Sequence, residues 1–108
     1  MNTDLNRDNL VNAVSALASL MNVLMTKHEG QSEFKLQPDE YMALSPLSTI
    51  ARDALFEMGD EESKRWARKM YIHKHMGPDD RFYACGYWNI THDLHSYVHG
   101  LWMEARSK

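Results

Sequence analysis

Three histidines are the residues of this sequence whose type and spacing are best suited to chemistry. His92, His95 and His99 stand three and four positions apart in the last apolar segment. At about 100° per residue they fall within about 60° of arc, on one face of a helix. Trp88 and Trp102 project to nearly the same face if that helix is unbroken. The sequence therefore predicts one helix edge that carries imidazole and indole rings.

This group of rings has three interpretations. His95 and His99 can hold one Zn²⁺, with His92 or Cys85 as a further ligand. Tryptophan and histidine on a face apart from the core are also typical of a protein-binding surface. Alternatively, the histidines are merely solvated and the tryptophans belong to the core. We favour the partner-binding surface, which comprises Trp88, His92, His95, His99 and Trp102, and keep a zinc site of His92, His95 and His99 as the alternative.

A basic segment between residues 64 and 75 is the second candidate site. Arg65, Arg68 and Lys69 could bind phosphates, which makes a small DNA-binding regulator a further alternative. Glu61 and Glu62 open the same predicted helix, where a recognition helix would meet the groove, and their charge would repel DNA. We therefore expect a solvated face that pairs with acids elsewhere, and binding to nucleic acid is not the favoured function.

The composition favours one small intracellular domain. The chain has 108 residues, a net charge of -3 and one cysteine, which cannot form the disulfides that small secreted domains usually need. Residues 1 to 62 contain 4 bases and 11 acids, whereas residues 63 to 108 contain 8 bases and 4 acids. The first residues mix acids with a base, unlike a secretory signal. We expect a cytoplasmic protein that is not an enzyme and has no cofactor.

The first segment predicts a long helix from about Asp4 to Glu29, ended by Gly30. No residue from Asn9 to Thr26 is charged, but polar residues spread along this stretch disfavour a membrane span. A helix of ~26 residues is about 39 Å long, which exceeds the core of a small domain. Its surplus apolar surface therefore predicts a homodimer. The predicted dimerisation residues recur at spacings of 4, 3, 4 and 3 and are Leu10, Val14, Leu17, Met21 and Leu24.

Shorter helices are predicted in the rest of the chain. Pro38 is predicted to begin a short helix. This helix should end at about Leu44, where Ser45-Pro46 interrupts it, because a residue before proline avoids the helical region. Pro46 begins the next, which Gly59 ends. Asp60 caps a third that extends to Gly77-Pro78. Residues 81 to 89 are expected to be helical, because the sequence offers no second strand with which they could pair. Asn89 or Thr91 is expected to cap a final helix that extends to about Ala105.

These elements predict an all-α fold of four to five helices around the long uncharged first helix, with the bundle completed by dimerisation. The whole chain, 1–108, forms one domain with frayed termini at 1–4 and 106–108. We expect a small regulatory protein that binds and modulates a protein partner, of the kind that phages and mobile elements encode. A metal-binding helical protein and a DNA-binding regulator are the alternatives.

Overall fold

Four helices and a short two-stranded ribbon make up the fold of the computed structural model. The structure describes the backbone of residues 3–106 and the side chains of residues 6–104. The helices are α1 (Thr3–Lys27), α2 (Pro38–Met58), α3 (Glu61–Lys69) and α4 (Ala84–Arg106). Strands β1 (Phe34–Lys35) and β2 (Arg81–Phe82) pair antiparallel, and two 3-10 turns, Ile72–His75 and Pro78–Asp80, precede β2. The predicted all-α class is confirmed, with the ribbon as a minor addition.

The apolar seam of α1 is the centre of the core. Its five predicted dimerisation residues are each at most 4% exposed, because α2 and α4 of the same chain pack against them. A second subunit cannot reach these side chains, which corrects the predicted dimer interface. The residues concerned are Leu10, Val14, Leu17, Met21 and Leu24.

The rest of α1 is less enclosed than its seam. Residues Asn6–Lys27 form the one helix of the described chain that is long and apolar enough to cross a bilayer, by length and composition alone. Core helices of soluble proteins pass the same test, and 39% of the apolar window is buried inside this fold. The apolar character of α1 thus has two parts, a seam within the core and a side that faces outward.

Polar contacts at both ends set the direction of the helices around α1. The Asn6 side-chain amide donates to the Ala54 carbonyl at 3.1 Å, and Lys27 pairs with Glu40 at 3.0 Å. These contacts join opposite ends of α1 and α2, so the two helices are antiparallel. Trp88, near the start of α4, donates to Asn22 near the end of α1. Helix α4 is therefore antiparallel to α1 as well, on its other flank.

Helix α2 runs without a break through Pro46, contrary to the interruption predicted at Ser45-Pro46. A proline inside a helix leaves the carbonyl four residues earlier without its usual donor. That carbonyl belongs to Met42, and both Met42 and Pro46 are exposed, so water can satisfy it. Gly59 ends the helix with φ 82°, as predicted.

Helix α3 begins as predicted but is shorter. The Asp60 carboxylate accepts from the Ser63 backbone N–H at 3.0 Å. The helix ends at Lys69, well before Gly77-Pro78, and the 3-10 turn follows. Ser48 of α2 and Tyr87 of α4 both donate to the Met70 carbonyl, at 2.8 and 3.0 Å. These buried hydroxyls hold the end of α3 against two other helices.

After residue 80 the structure differs from the predicted secondary structure mainly because of the two-stranded ribbon. Phe82 pairs with Phe34, so the strand partner lies in the connector between α1 and α2. Residues 81 to 89 were predicted as helix, yet β2 takes the first two and α4 begins at Ala84. Neither Asn89 nor Thr91 caps a new helix, since both lie within α4. Of the predicted frayed termini, residues 1, 2, 107 and 108 lie outside the described part of the chain.

Candidate functional site

The five predicted partner-binding residues lie along one edge of α4. We call them the His/Trp surface: Trp88, His92, His95, His99 and Trp102. The buried side of α4 lies about 100° around the helix from these rings and carries Tyr87, Leu94 and Val98, which fixes the direction in which the five rings project. Their spacing of 4, 3, 4 and 3 keeps them on one edge for the length of the helix. The prediction that they share a face is thus met by one continuous α4.

The first half of the His/Trp surface is held against α1. The Trp88 indole N–H donates to the Asn22 side-chain oxygen at 2.7 Å. The His92 ring lies 4.2 Å from the Trp88 ring between centroids, and its Nδ1 is 2.9 Å from the Trp88 carbonyl oxygen. For that bond the imidazole Nδ1 must carry the proton. Trp88 and His92 are both half-buried, and these two hydrogen bonds orient their rings.

The second half of the His/Trp surface is more open. The rings of His95 and His99 are 6.3 Å apart between centroids, and His99 stacks on Trp102 at 6.1 Å. His99 is exposed, while His95 and Trp102 are half-buried. The surface is thus neither wholly in the core nor freely solvated. It presents a run of ring edges and faces that a partner can cover.

The side chains of the three histidines do not converge as the alternative zinc site would require. Among the described residues, no group of three histidine, cysteine or acidic side chains converges as metal ligands would. His92 directs Nδ1 to its own helix, and the other two rings stack side by side rather than point to one centre. Cys85 is an exposed free thiol whose neighbour is Asn89, with Nδ2 3.9 Å from Sγ. A metal bound by His92, His95 and His99 is therefore not supported by this geometry.

The basic segment is largely exposed, and the expected pairing with acidic residues is formed by Lys64, whose Nζ lies 3.2 Å from Glu61. Arg65, Arg68 and Lys69 are all on the surface, and no carboxylate of the described residues lies within ion-pair distance of them. Lys69 Nζ lies 4.8 Å above the Trp66 ring instead. The acids Glu61 and Glu62 occupy the first turn of the same nine-residue helix. The positive patch is thus small and bordered by negative charge.

Glu40 is a buried carboxylate at the junction of α1 and α2 that was not predicted from the sequence. Glu40 is 4% exposed, and it accepts from the His28 ring at 2.8 Å, Lys27 at 3.0 Å and the Gln37 backbone N–H at 2.9 Å. Burial raises the pKa of Glu40, but these donors together outweigh burial and lower it. The signal in the sequence was the Gln37 to Glu40 spacing, which here forms a capping box.

A groove lies beside the ribbon. Its volume is about 560 Å³, and its walls combine the ribbon with the first turn of α2. The lining residues are Lys35, Leu36, Gln37, Pro38, Tyr41, Met76 and Asp80. The groove lies at the α2 start, and none of its lining residues belongs to the His/Trp surface.

No protein family, curated protein or solved structure matches this chain. The contacts, burial and charge of its own residues are therefore the evidence on its function.

Proposed function

We propose that this protein is a small interaction module that binds and modulates a protein partner through the His/Trp surface. The observation that carries the proposal is the run of five rings along one edge of α4, all partly or fully accessible. Tryptophan is enriched among residues that dominate the free energy of protein association. Rings that cover a large area with few rotatable bonds lose little entropy on binding.

The surroundings of the His/Trp surface also favour a protein partner. Ser15, Ser19 and Asn22 of α1 lie on the flank where Trp88 meets that helix, and none of them is charged. A partner that covers this region does not remove water from charged side chains, so the free-energy cost of desolvation is small. Serine and asparagine side chains can also donate and accept hydrogen bonds at the border of the rings.

We place this activity in the cytoplasm and propose that the protein acts as a regulator rather than as an enzyme. Cys85 is a free thiol on the surface, and such a thiol persists best in a reducing compartment. No disulfide is needed to explain the fold, because a continuous apolar cluster joins all four helices. We also propose self-association, since the outward side of α1 is uncharged from residue 9 to residue 26 and leaves Val23 exposed.

Site-specific cross-linking tests the proposed function. A photoreactive benzophenone amino acid replaces His99 on the His/Trp surface, and a control replaces exposed Thr49 on α2. We expect a discrete adduct with another protein of the native cell from position 99 and none from position 49. The captured protein, once purified, should bind the wild type and lose most of its affinity for a His95→Ala, His99→Ala variant. Equal adducts at both positions, or unchanged affinity in the variant, would contradict the proposal.

A further inference from the structure

The end of α3 and the turn after it form the part of the chain that is richest in positive charge. No residue from 63 to 78 is acidic, whereas lysine or arginine occupies five of these positions and histidine two. Among these cations, only Lys64 forms an ion pair with a described carboxylate, that of Glu61 at the start of α3. The end of this nine-residue helix lies about 13 Å from its start. Its positive charge is therefore not neutralised by an ion pair within the described chain.

Arg52 of α2 adds a further cation to this region. Its guanidinium carbon Cζ lies 4.1 Å from the centre of the Tyr71 ring, a distance typical of a cation–π contact. The Lys74 Nζ lies 5.5 Å from the centre of the same ring. The separation of the two cations therefore cannot exceed these two distances taken together, and like charges so close repel each other. We call Arg52, Tyr71 and Lys74 the Tyr71 cluster.

The Arg52 guanidinium has more hydrogen-bond donors than the described chain has acceptors for it. Its Nη2 donates to the Thr49 hydroxyl at 3.1 Å, but its Nε is buried and has no hydrogen-bond partner among the described residues. Arginine carries five N–H donors and no acceptor. Arg52 is half-buried, so part of its charge is removed from water without a carboxylate to balance it. An anion at the accessible part of the guanidinium would supply the missing charge.

The other groups of the Tyr71 cluster also offer donors, and the backbone holds them in place. Lys74 Nζ donates to the Arg68 carbonyl at 2.8 Å, which leaves two of its three N–H groups for a ligand. His75 donates from Nε2 to the Lys69 carbonyl at 3.0 Å, so the turn is fixed to the last carbonyls of α3. The Tyr71 hydroxyl makes no hydrogen bond to the described residues. The cluster thus presents donors and positive charge without matching acceptors.

We propose that the Tyr71 cluster binds the terminal phosphate group of a small phosphate monoester. At neutral pH such a group carries about two negative charges and three acceptor oxygens. The planar fork of Arg52 can donate two parallel hydrogen bonds to it, and Lys74 adds a point charge on a flexible stem. One phosphate whose oxygens lie about 2.8 Å from each donor spans cations about 8 Å apart. A single bound group can therefore contact both cations and relieve their repulsion.

A nucleic acid is the other source of phosphate that a basic surface can bind. Its diester phosphates carry one charge each, and its affinity comes from contacts with many of them in a row. Glu61 and Glu62 in the first turn of α3, and Asp53 next to Arg52, interrupt such a row of cations. These acids disfavour a long polyanion more than a single small phosphate. The Tyr71 cluster shares no residue with the His/Trp surface, so phosphate binding can be tested independently of the proposed function.

An NMR titration of the full chain with inorganic phosphate, at neutral pH and constant ionic strength, tests the proposal. We expect saturable shifts of the Arg52 Nε–H and Tyr71 backbone N–H signals, with a Kd of a few millimolar. Arg52→Gln should weaken binding about tenfold or more, since it removes the fork and its charge. Arg65→Gln is the matched control, because it removes the same charge from an exposed residue outside the cluster and should bind like the wild type. Adenosine monophosphate and O-phosphoserine carry the same group, and the tighter of the two identifies a nucleotide or a phosphorylated side chain as its carrier.

A milder variant keeps the test decisive if Arg52→Gln does not fold. Lys74 is exposed, and in Lys74→Gln the amide can still donate to the Arg68 carbonyl, so this variant should fold and bind phosphate about fivefold more weakly. Wild-type shifts that do not saturate by about 20 mM phosphate, or that chloride reproduces at the same ionic strength, would overturn the proposal. So would an Arg65→Gln variant that loses as much affinity as Arg52→Gln, or binding of duplex DNA that exceeds phosphate binding and is unaffected by Arg52→Gln.

Discussion

The inward and outward sides of α1 are both apolar and uncharged, yet they have different neighbours. The inward seam, exemplified by Leu17 and Met21, has no exposed area, because α2 and α4 cover it. The outward side leaves Val23 largely exposed. The difference shows that apolar periodicity predicts that a residue is buried but does not say by which chain. Here one subunit is enough to bury the seam.

We therefore expect substitutions on the two sides of α1 to have different effects. Substitutions at inward positions should lower the free energy of unfolding whatever their polarity. Substitutions at outward positions should leave folding nearly unchanged and act on association. The expected effects on folding decrease from the seam, through the two buried polar contacts, to the surface.

The largest effect is expected at the seam. Leu17→Ala should lower the free energy of unfolding by about 2–5 kcal/mol, because it leaves a cavity among three helices. Urea denaturation followed by circular dichroism measures this loss, with Ala16→Ser on the outward side as the control. A loss no greater than that of the control would contradict the inward position of Leu17.

The next effect is expected at the buried carboxylate. Glu40→Gln should cost about 1–3 kcal/mol at neutral pH, since hydrogen bonds to a charged group are lost. The wild-type pKa of Glu40 lies below 4.5, so its contribution is present above that pH and disappears as the pH falls through the lowered pKa. The variant should therefore lose less stability on acidification. Denaturation from pH 7 to pH about 3 measures this, with exposed Asp39→Asn as the control. Parallel curves for wild type and Glu40→Gln would refute the role of this contact.

A smaller effect is expected at the neutral contact that holds the end of α3. Tyr87→Phe should cost about 1 kcal/mol, because the Met70 carbonyl keeps its bond from Ser48. Burial raises the pKa of Tyr87 from 10.0 to about 12. Its contribution is therefore present below pH 10 and is lost as the pH rises towards 12. Alkaline denaturation should weaken the wild type more than Tyr87→Phe, with exposed Tyr83→Phe resembling the wild type. An equal alkaline loss in wild type and Tyr87→Phe would count against this contact.

The smallest effect on folding is expected at the His/Trp surface. His95→Ala with His99→Ala should change the free energy of unfolding by less than about 1 kcal/mol, since His99 is exposed and His95 only half-buried. The same variant should lose affinity for the cross-linked partner. Urea denaturation and a binding titration on one sample separate the two roles. A large loss of stability would assign these rings to the core instead.

Local signals in the sequence were reliable where neighbours along the chain decide the structure. The seam of α1, the Asp60 cap and the Gly59 end of α2 follow from spacing and from the preferences of single residues. The shared edge of the five rings on α4 follows in the same way. These features needed only helical periodicity and capping chemistry.

Tertiary contacts decided the features that were not foreseen. Pro46 lies inside α2 where Met42, whose carbonyl loses its helical donor, is exposed and accessible to water, which no local pattern reveals. The strand at Arg81–Phe82 needs Phe34–Lys35, almost fifty residues earlier. Helix α3 ends where hydroxyls of two distant helices meet the Met70 carbonyl. The described residues give the zinc alternative no support, because helical spacing places imidazoles on one face but does not make them converge.

The dependence of unfolding on protein concentration tests the central claim most directly, namely that one subunit buries the α1 seam by itself. The measurement is the urea midpoint of a Val23→Glu, Ile50→Glu variant, with charges at two exposed positions of α1 and α2, at concentrations that differ about a hundredfold. We predict a folded monomer with wild-type helicity and the same midpoint at each concentration. A midpoint that rises with concentration, or a chain that folds only when associated, would contradict the claim.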